Sequence, residues 1–261
     1  MTMENRARLA DLMRAPDPDL AEANLRIAAE GRPGLDCERW LDDVDRLAVM
    51  AGGADAAAVF DMLRDEGYAG DTDAYDDPRN SFLDQVLQRR RGLPIALSAL
   101  AVAVGRRIGA RIEGVAMPGH YIVADVSDGH VRYVDPFHGW APRTVEELAG
   151  IARDTAGTDL EPGHLAPAPA EVTVIRMLLN LEGSYRRRDR LSDVRWCLGL
   201  QALVNPDDPA PRVRLAEVLV AMGDSDEAEA LLGSLLTTTP PSLAMRVAES
   251  TLDDIRAARL N

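Results

Sequence analysis

Between residues 94 and 137 the hydrophobic period of this chain changes once, from helical to alternating, and that change restricts the folds open to it. PIALSALAVAVGRRI (94–108) is apolar nearly all round, so a helix there must be covered on most of its sides. Pro94 suits its first turn. Its longest apolar run, residues 95–105, is too short to span a bilayer. RIEGVAMPGHYIVADVSDGHVRYVDPF then reads as three short strands, broken at Pro118-Gly119 and at Asp128-Gly129. A buried helix packed on a small antiparallel sheet, with helical pattern on both sides, predicts an α+β domain.

Residues 5–63 read as a helical N-terminal half, with Asp17 or Asp19 available as a cap and helices stopped by glycine. AGDTDAYDDPR (69–79) reads as an acidic loop, and NSFLDQVLQRRRG (80–92) as a helix capped by Asn80 or Ser81. TVEELAGIARD offers a closing helix. EPGHLAPAPA (161–170) reads as a Pro/Ala-rich linker between a domain over 1–160 and a helical region over 171–261. That last region repeats at an offset of 34: Pro206 falls on Pro240, Leu181 on Leu215, Tyr185 on Leu219, Val194 on Ala228 and Leu198 on Leu232. GDSDEAEALL resembles the turn and second helix of a tetratricopeptide repeat; plain helical hairpins are the alternative. Both stack helix pairs and leave a groove for a partner.

Hydrophobic residues make up 46% of the chain and aromatics only 4%, so the core must be built from Ala, Leu and Val. Net charge is −14, which repels phosphate backbones and anionic lipid; no nucleic-acid or membrane partner is expected, and a protein or peptide partner is. Cys37 and Cys197 form neither a disulfide framework nor a Cys–His metal spacing, and the first residues lack the apolar run of a signal peptide. A reducing cytoplasm is the expected location, with no cofactor. Oligomeric state is left open.

A turn centred on Asp128-Gly129 sets residues summing to 257 opposite each other. His120, Ile122, Ala124 and Val126 then share one face with Val131, Tyr133, Asp135 and Phe137. His120 and Asp135 become diagonal neighbours, roughly 7–8 Å apart at the backbone and within reach through the imidazole. The shared face is apolar, which predicts the pair at the end of the sheet–helix core. A partly buried carboxylate on one imidazole nitrogen fixes the tautomer and frees the other nitrogen as a base. A hydrogen bond that merely tethers two strand ends is the alternative. His138 has the opposite parity and follows Pro136, so strand alternation sends it elsewhere unless the chain twists.

RGLPIALSALAVAVGRRIGARIEGVAMPGHYIVA followed by YVDPFHG resembles the core of the transglutaminase-like superfamily. In that papain-like fold a helix presents a cysteine at its N-terminus, one strand supplies His and the next supplies Asp. DPRNSFLDQVLQRRRGLPIALS, EGVAMPGH and VDPFHG further resemble a bacterial branch that joins this core to C-terminal tetratricopeptide repeats, and a related core in certain F-box proteins. The resemblance covers roughly residues 17–260 and implies that His120 and Asp135 stand in the family's His and Asp positions.

It also implies a cysteine near Pro94, where a helix dipole would stabilise a thiolate. Leu93, Pro94, Ile95 and Ala96 stand there instead. Ser98 lies a turn deeper and is expected to bond back to a carbonyl; Cys37 precedes the core, and Cys197 belongs to the repeats. Cysteine-type acyl transfer is therefore not expected. Two functions follow. One is a binding module centred on His120 and Asp135, with Asn80, Pro94, Ile95, Glu113, Tyr133 and His138 as candidate binding positions. The other is an enzyme using His120 and Asp135 as a general-base dyad, or a metal held by His120, Asp135 and His138. Arg89, Arg90 and Arg91 either clamp an anion or offset a helix dipole.

Overall fold

The computed structural model describes residues 3–238 and 243–258. Four helices come first: α1 (Met3–Met13), α2 (Leu20–Gly31), α3 (Cys37–Ala51) and α4 (Ala56–Asp65). Asp19, not Asp17, caps α2 by accepting from the amides of Ala21 and Glu22; Asp36 and Asp55 cap the next two helices in the same way. A two-residue strand, β1 (Ala69–Gly70), then opens the acidic loop.

The helix expected over 80–92 is shorter than its sequence suggests. Asn80 belongs to a 3-10 turn (Pro78–Asn80) capped by Asp77, and α5 covers only Leu83–Arg89. Neither Asn80 nor Ser81 caps it. Asn24 from α2 does, its Oδ1 accepting from the Leu83 amide at 2.7 Å while its Nδ2 donates to Ser81 O. The helix stops because Arg90 takes a left-handed conformation (φ 57°) and the chain enters β2 (Arg91–Gly92), parallel to β1. Leu93 precedes α6 (Pro94–Ile108), which carries Pro94 in its first turn and ends on Gly109 at φ 78°.

An antiparallel sheet follows: β3 (Ile112–Val115), β4 (Ile122–Asp125), β5 (Arg132–Asp135) and β6 (Ala141–Arg143), in that spatial order. Val123 pairs with Val134 and Ala124 with Tyr133, the register set by a turn at Asp128-Gly129. The fourth strand exceeds the three expected; it has three residues, and its Pro142 leaves almost no alternation to detect. α7 (Val145–Ala156) closes the sheet behind a Thr144–Glu147 capping box.

Both faces of the sheet are apolar. Ile112, Val123 and Val134 pack with Ala96, Leu97, Leu100 and Val104 of α6 in the main core. Val115, Ile122 and Ala124, which share the parity of His120 and Asp135, pack instead with Leu148 and Ala152 of α7. The expectation that this face meets the central helix is thus corrected: the central helix takes the opposite face.

Close contacts divide the chain into two compact units, 1–177 and 178–261. The division falls inside α8 (Ala170–Arg186), and the stretch 161–170 lies in the first unit, where the Ala168 amide donates to Gly114 O on the edge of β3. In the second unit, the end of α8 is followed by α9 (Leu191–Val204), α10 (Ala210–Met222), α11 (Ser225–Thr238) and α12 (Leu243–Ala258). The 34-residue offset is visible in packing: Val194 and Ala228, Leu198 and Leu232, Tyr185 and Leu219 are all buried. Pro240, the second proline of the repeat, lies outside the described residues.

Candidate functional site

The site forms where β5 ends. Asp135 is completely buried, and its Oδ1 accepts from the amides of Phe137 (3.0 Å) and His138 (3.3 Å). This is an Asx turn, the local bonding that an aspartate before proline favours. It curls the chain back over the carboxylate, so His138 Nδ1 comes to 2.7 Å from Asp135 Oδ2. The parity argument that sent His138 elsewhere is corrected here, because alternation holds only while the chain remains a strand.

The other imidazole arrives from the start of β4. Gly119 takes φ 68°, and a Cβ there would collide with Thr155 of α7, so only glycine delivers the chain to His120 on this path. His120 is 7% exposed, and its Nε2 stands 3.1 Å from Asp135 Oδ2. It lies outside hydrogen-bonding geometry and has no other partner. Arg143 approaches the same oxygen with Nε at 3.7 Å, also without a hydrogen-bond partner. Burial alone would raise the Asp135 pKa, but the imidazoles of His120 and His138 outweigh it and hold the group at about 2. The carboxylate is therefore ionised at every pH near neutrality.

Phe137 joins this cluster to the acidic loop before α5. Its ring lies edge-on to His120 and to Tyr75, with centroids 6.4 Å and 5.6 Å away, and Gly70 N donates to its carbonyl at 3.1 Å. β1 thus bonds β2 through backbone pairing and the site turn through Phe137 O. The loop is fixed from inside. Arg89 donates to Asp71 (2.8 Å) and Asn80 (2.9 Å), while Asn80 Nδ2 donates to Ala74 O. The side chain of Asn80 is spent on the loop, as is that of Arg89. Arg90 and Arg91 donate to the carbonyls of Glu66 and Gly67.

Other expected positions lie apart from the cluster. Pro94 and Ile95 are buried in the first turn of α6. Glu113 pairs with Ala124, two strands from Asp135, and lines a hollow of about 190 Å³ with Asp17 and Arg106. Tyr133 lines a cavity of about 410 Å³ with Val145, Leu160 and Leu165. Ser98 Oγ is buried without the expected carbonyl partner. Cys37 Sγ contacts Leu25 O, and burial raises its thiol pKa, which disfavours the thiolate. Strand alternation had put Phe137 on the face of His120 and Asp135, whereas nothing in the sequence pointed to Arg143; the Asp-Pro-Phe-His order was the available signal for the returning His138.

No helix among the described residues is long and apolar enough to cross a membrane. No solved structure matches the chain. A "UPF0162 protein" of Xylella fastidiosa is 37% identical over 148 residues, covering 55% of this chain and 53% of that protein. One of Vibrio cholerae is 33% identical over 147 residues, covering 55% and 54%. Human F-box only protein 21 is 34% identical over 99 residues, 34% of this chain and 15% of that protein. The chain spans about half the length of the curated bacterial relatives it matches. The tetratricopeptide repeat family matches residues 200–246. The transglutaminase-like family matches residues 37–179, which hold α6, the sheet and the His120–Asp135 pair, and the chain belongs to the transglutaminase-like superfamily.

Proposed function

We propose that this chain is a binding protein on a transglutaminase-like core that has no cysteine nucleophile. The cleft beside His120 and His138 holds an extended peptide or an amide-bearing side chain, and the helical repeats hold a second protein segment. What supports this reading is that Leu93, Pro94, Ile95 and Ala96, where the resemblance implies the superfamily's cysteine, are all buried hydrocarbon, while His120 and Asp135 stand side by side. The imidazole of half-exposed His138 then serves recognition as a donor or acceptor at the surface, and buried Asp135 orients it. The repeat family supports the protein-partner half of the reading. Burial of both Cys37 and Cys197 as thiols supports a reducing, cytoplasmic setting.

Peptides selected from a random library on the full chain provide the test. His138→Ala should weaken their binding at least tenfold, and iodoacetamide should leave it unchanged. Stoichiometric alkylation of Cys37 that abolishes binding, or cleavage of the selected peptides, would overturn the proposal. Cleavage would favour a general-base enzyme, a second reading supported by the half-exposed His138, whose Nδ1 faces Asp135 while Nε2 remains available.

A further inference from the structure

Asp135 Oδ2 faces more donors than one oxygen needs. His138 Nδ1, His120 Nε2 and Arg143 Nε stand 2.7, 3.1 and 3.7 Å from it, and the last two find no hydrogen-bond partner. A tether between strand ends requires one imidazole, and buried polar atoms are rarely left orphaned without a reason. We propose that His120, Asp135 and His138 form a divalent metal site that takes a borderline ion such as Zn²⁺ through His120 Nε2, His138 Nδ1 and Asp135 Oδ2, with water completing the shell. The inference goes beyond the peptide-binding reading and does not depend on it.

The ligand atoms lie within 4.8 Å of one another. Ligands about 2.0–2.1 Å from a tetrahedral zinc stand roughly 3.3–3.4 Å apart. From 3.1 and 2.7 Å the contacts to Oδ2 must therefore lengthen by about 0.2–0.3 Å for His120 and about 0.6–0.7 Å for His138, while the imidazole nitrogens, within 4.8 Å of each other, close by up to about 1.4 Å. Rotation of the half-exposed His138 supplies most of that movement. The ligand types fit: two imidazoles and one carboxylate suit zinc or iron(II), whereas magnesium and calcium select oxygen. The outer shell fits too. Both Asp135 Oδ1 contacts come from backbone amides, so the carboxylate is already oriented and presents Oδ2 alone. The burial of Asp135 and His120 makes the arrangement rigid, and the exposure of His138 leaves an entry path. Arg143 opposes a cation here, but its Nη1 is 3.7 Å from Glu147 Oε1, a half-exposed alternative partner.

The experiment is a calorimetric titration of the chelator-stripped full chain, without a polyhistidine tag, with ZnCl₂ at pH 7.5. One Zn²⁺ per chain is expected. His138→Ala should weaken binding at least tenfold, Arg143→Gln should tighten it, and zinc should raise the thermal midpoint of the wild type but not of His138→Ala. Because His138 is half-exposed, that variant keeps the fold, and circular dichroism verifies it. His120→Gln, checked the same way, should also lose the site. Absence of saturable binding, or equal affinity in wild type and His138→Ala, overturns the proposal.

Discussion

Replacing Asp135 by Asn tests whether the buried carboxylate is held by its imidazoles as the geometry requires. Its pKa falls from 3.8 to about 2 on folding. Each unit corresponds to 1.36 kcal/mol, so ionised Asp135 contributes about 2 kcal/mol at neutral pH. Asn keeps an oxygen for the Phe137 and His138 amides but turns an NH₂ toward His120 and His138, where an acceptor stood. That mismatch adds about 1 kcal/mol. The expected loss is therefore about 3 kcal/mol at pH 7.

The pH dependence is the sharper part. A folded pKa below the unfolded value means the native state binds fewer protons between them, so the stabilisation is complete above about pH 5 and disappears as pH falls through 2. At pH 3 about half of the 2 kcal/mol remains. Urea titrations of wild type and Asp135→Asn at pH 5 and pH 3 measure the gap. Trp140, buried against Phe60 and donating to Tyr68 O, is a reporter for this unit once Trp40 and Trp196 are changed to Phe. The gap should narrow by about 1 kcal/mol between the two pH values. An unchanged gap, or one under about 1 kcal/mol at pH 5, refutes the argument.

Two further outcomes are expected. Gly70→Ala places a Cβ inside 3.0 Å of the Phe137 ring, and should cost about 1–3 kcal/mol in the same urea assay while weakening the contact between Phe137 and His120. In the second unit, buried Glu182 accepts from Gln201 (2.8 Å) and Arg186 (2.9 Å); Glu182→Gln should cost about 1–2 kcal/mol, discounted for the partial exposure of Arg186, with Trp196 fluorescence as the readout.

The register of the β4–β5 hairpin was legible because a connection centred on Asp128-Gly129 pairs the strands symmetrically about it, even though pairing stops at Asp125 and Arg132 and residues 126–131 join them. The long apolar helix was legible for a similar reason: Pro94 and Gly109 bound it chemically. Features that depend on distant residues were not. The cap of α5 comes from Asn24, 59 positions earlier, and no local pattern announces it. Which helix covers which face of the sheet was equally hidden, since alternation separates apolar from polar faces and here both are apolar. His138 fell between these cases. Its bonding is local, three residues from Asp135, but it belongs to turn chemistry and was read with strand rules.

The same turn explains how so many donors reach one carboxylate oxygen. A carboxylate with no exposure must be ionised against the cost of burial, and one neutral imidazole does little to offset that cost. Here two backbone amides carry the orientation, and two imidazoles and a guanidinium gather around the remaining oxygen. Were Asp135 only a strand-end tether, its amide bonds and one histidine would suffice, and His120 could be any well-packed apolar residue at less cost. The surplus of nitrogen around Oδ2, with His120 Nε2 and Arg143 Nε buried and outside hydrogen-bonding geometry, is what favours the proposed metal site over a tether, and the zinc titration decides between them.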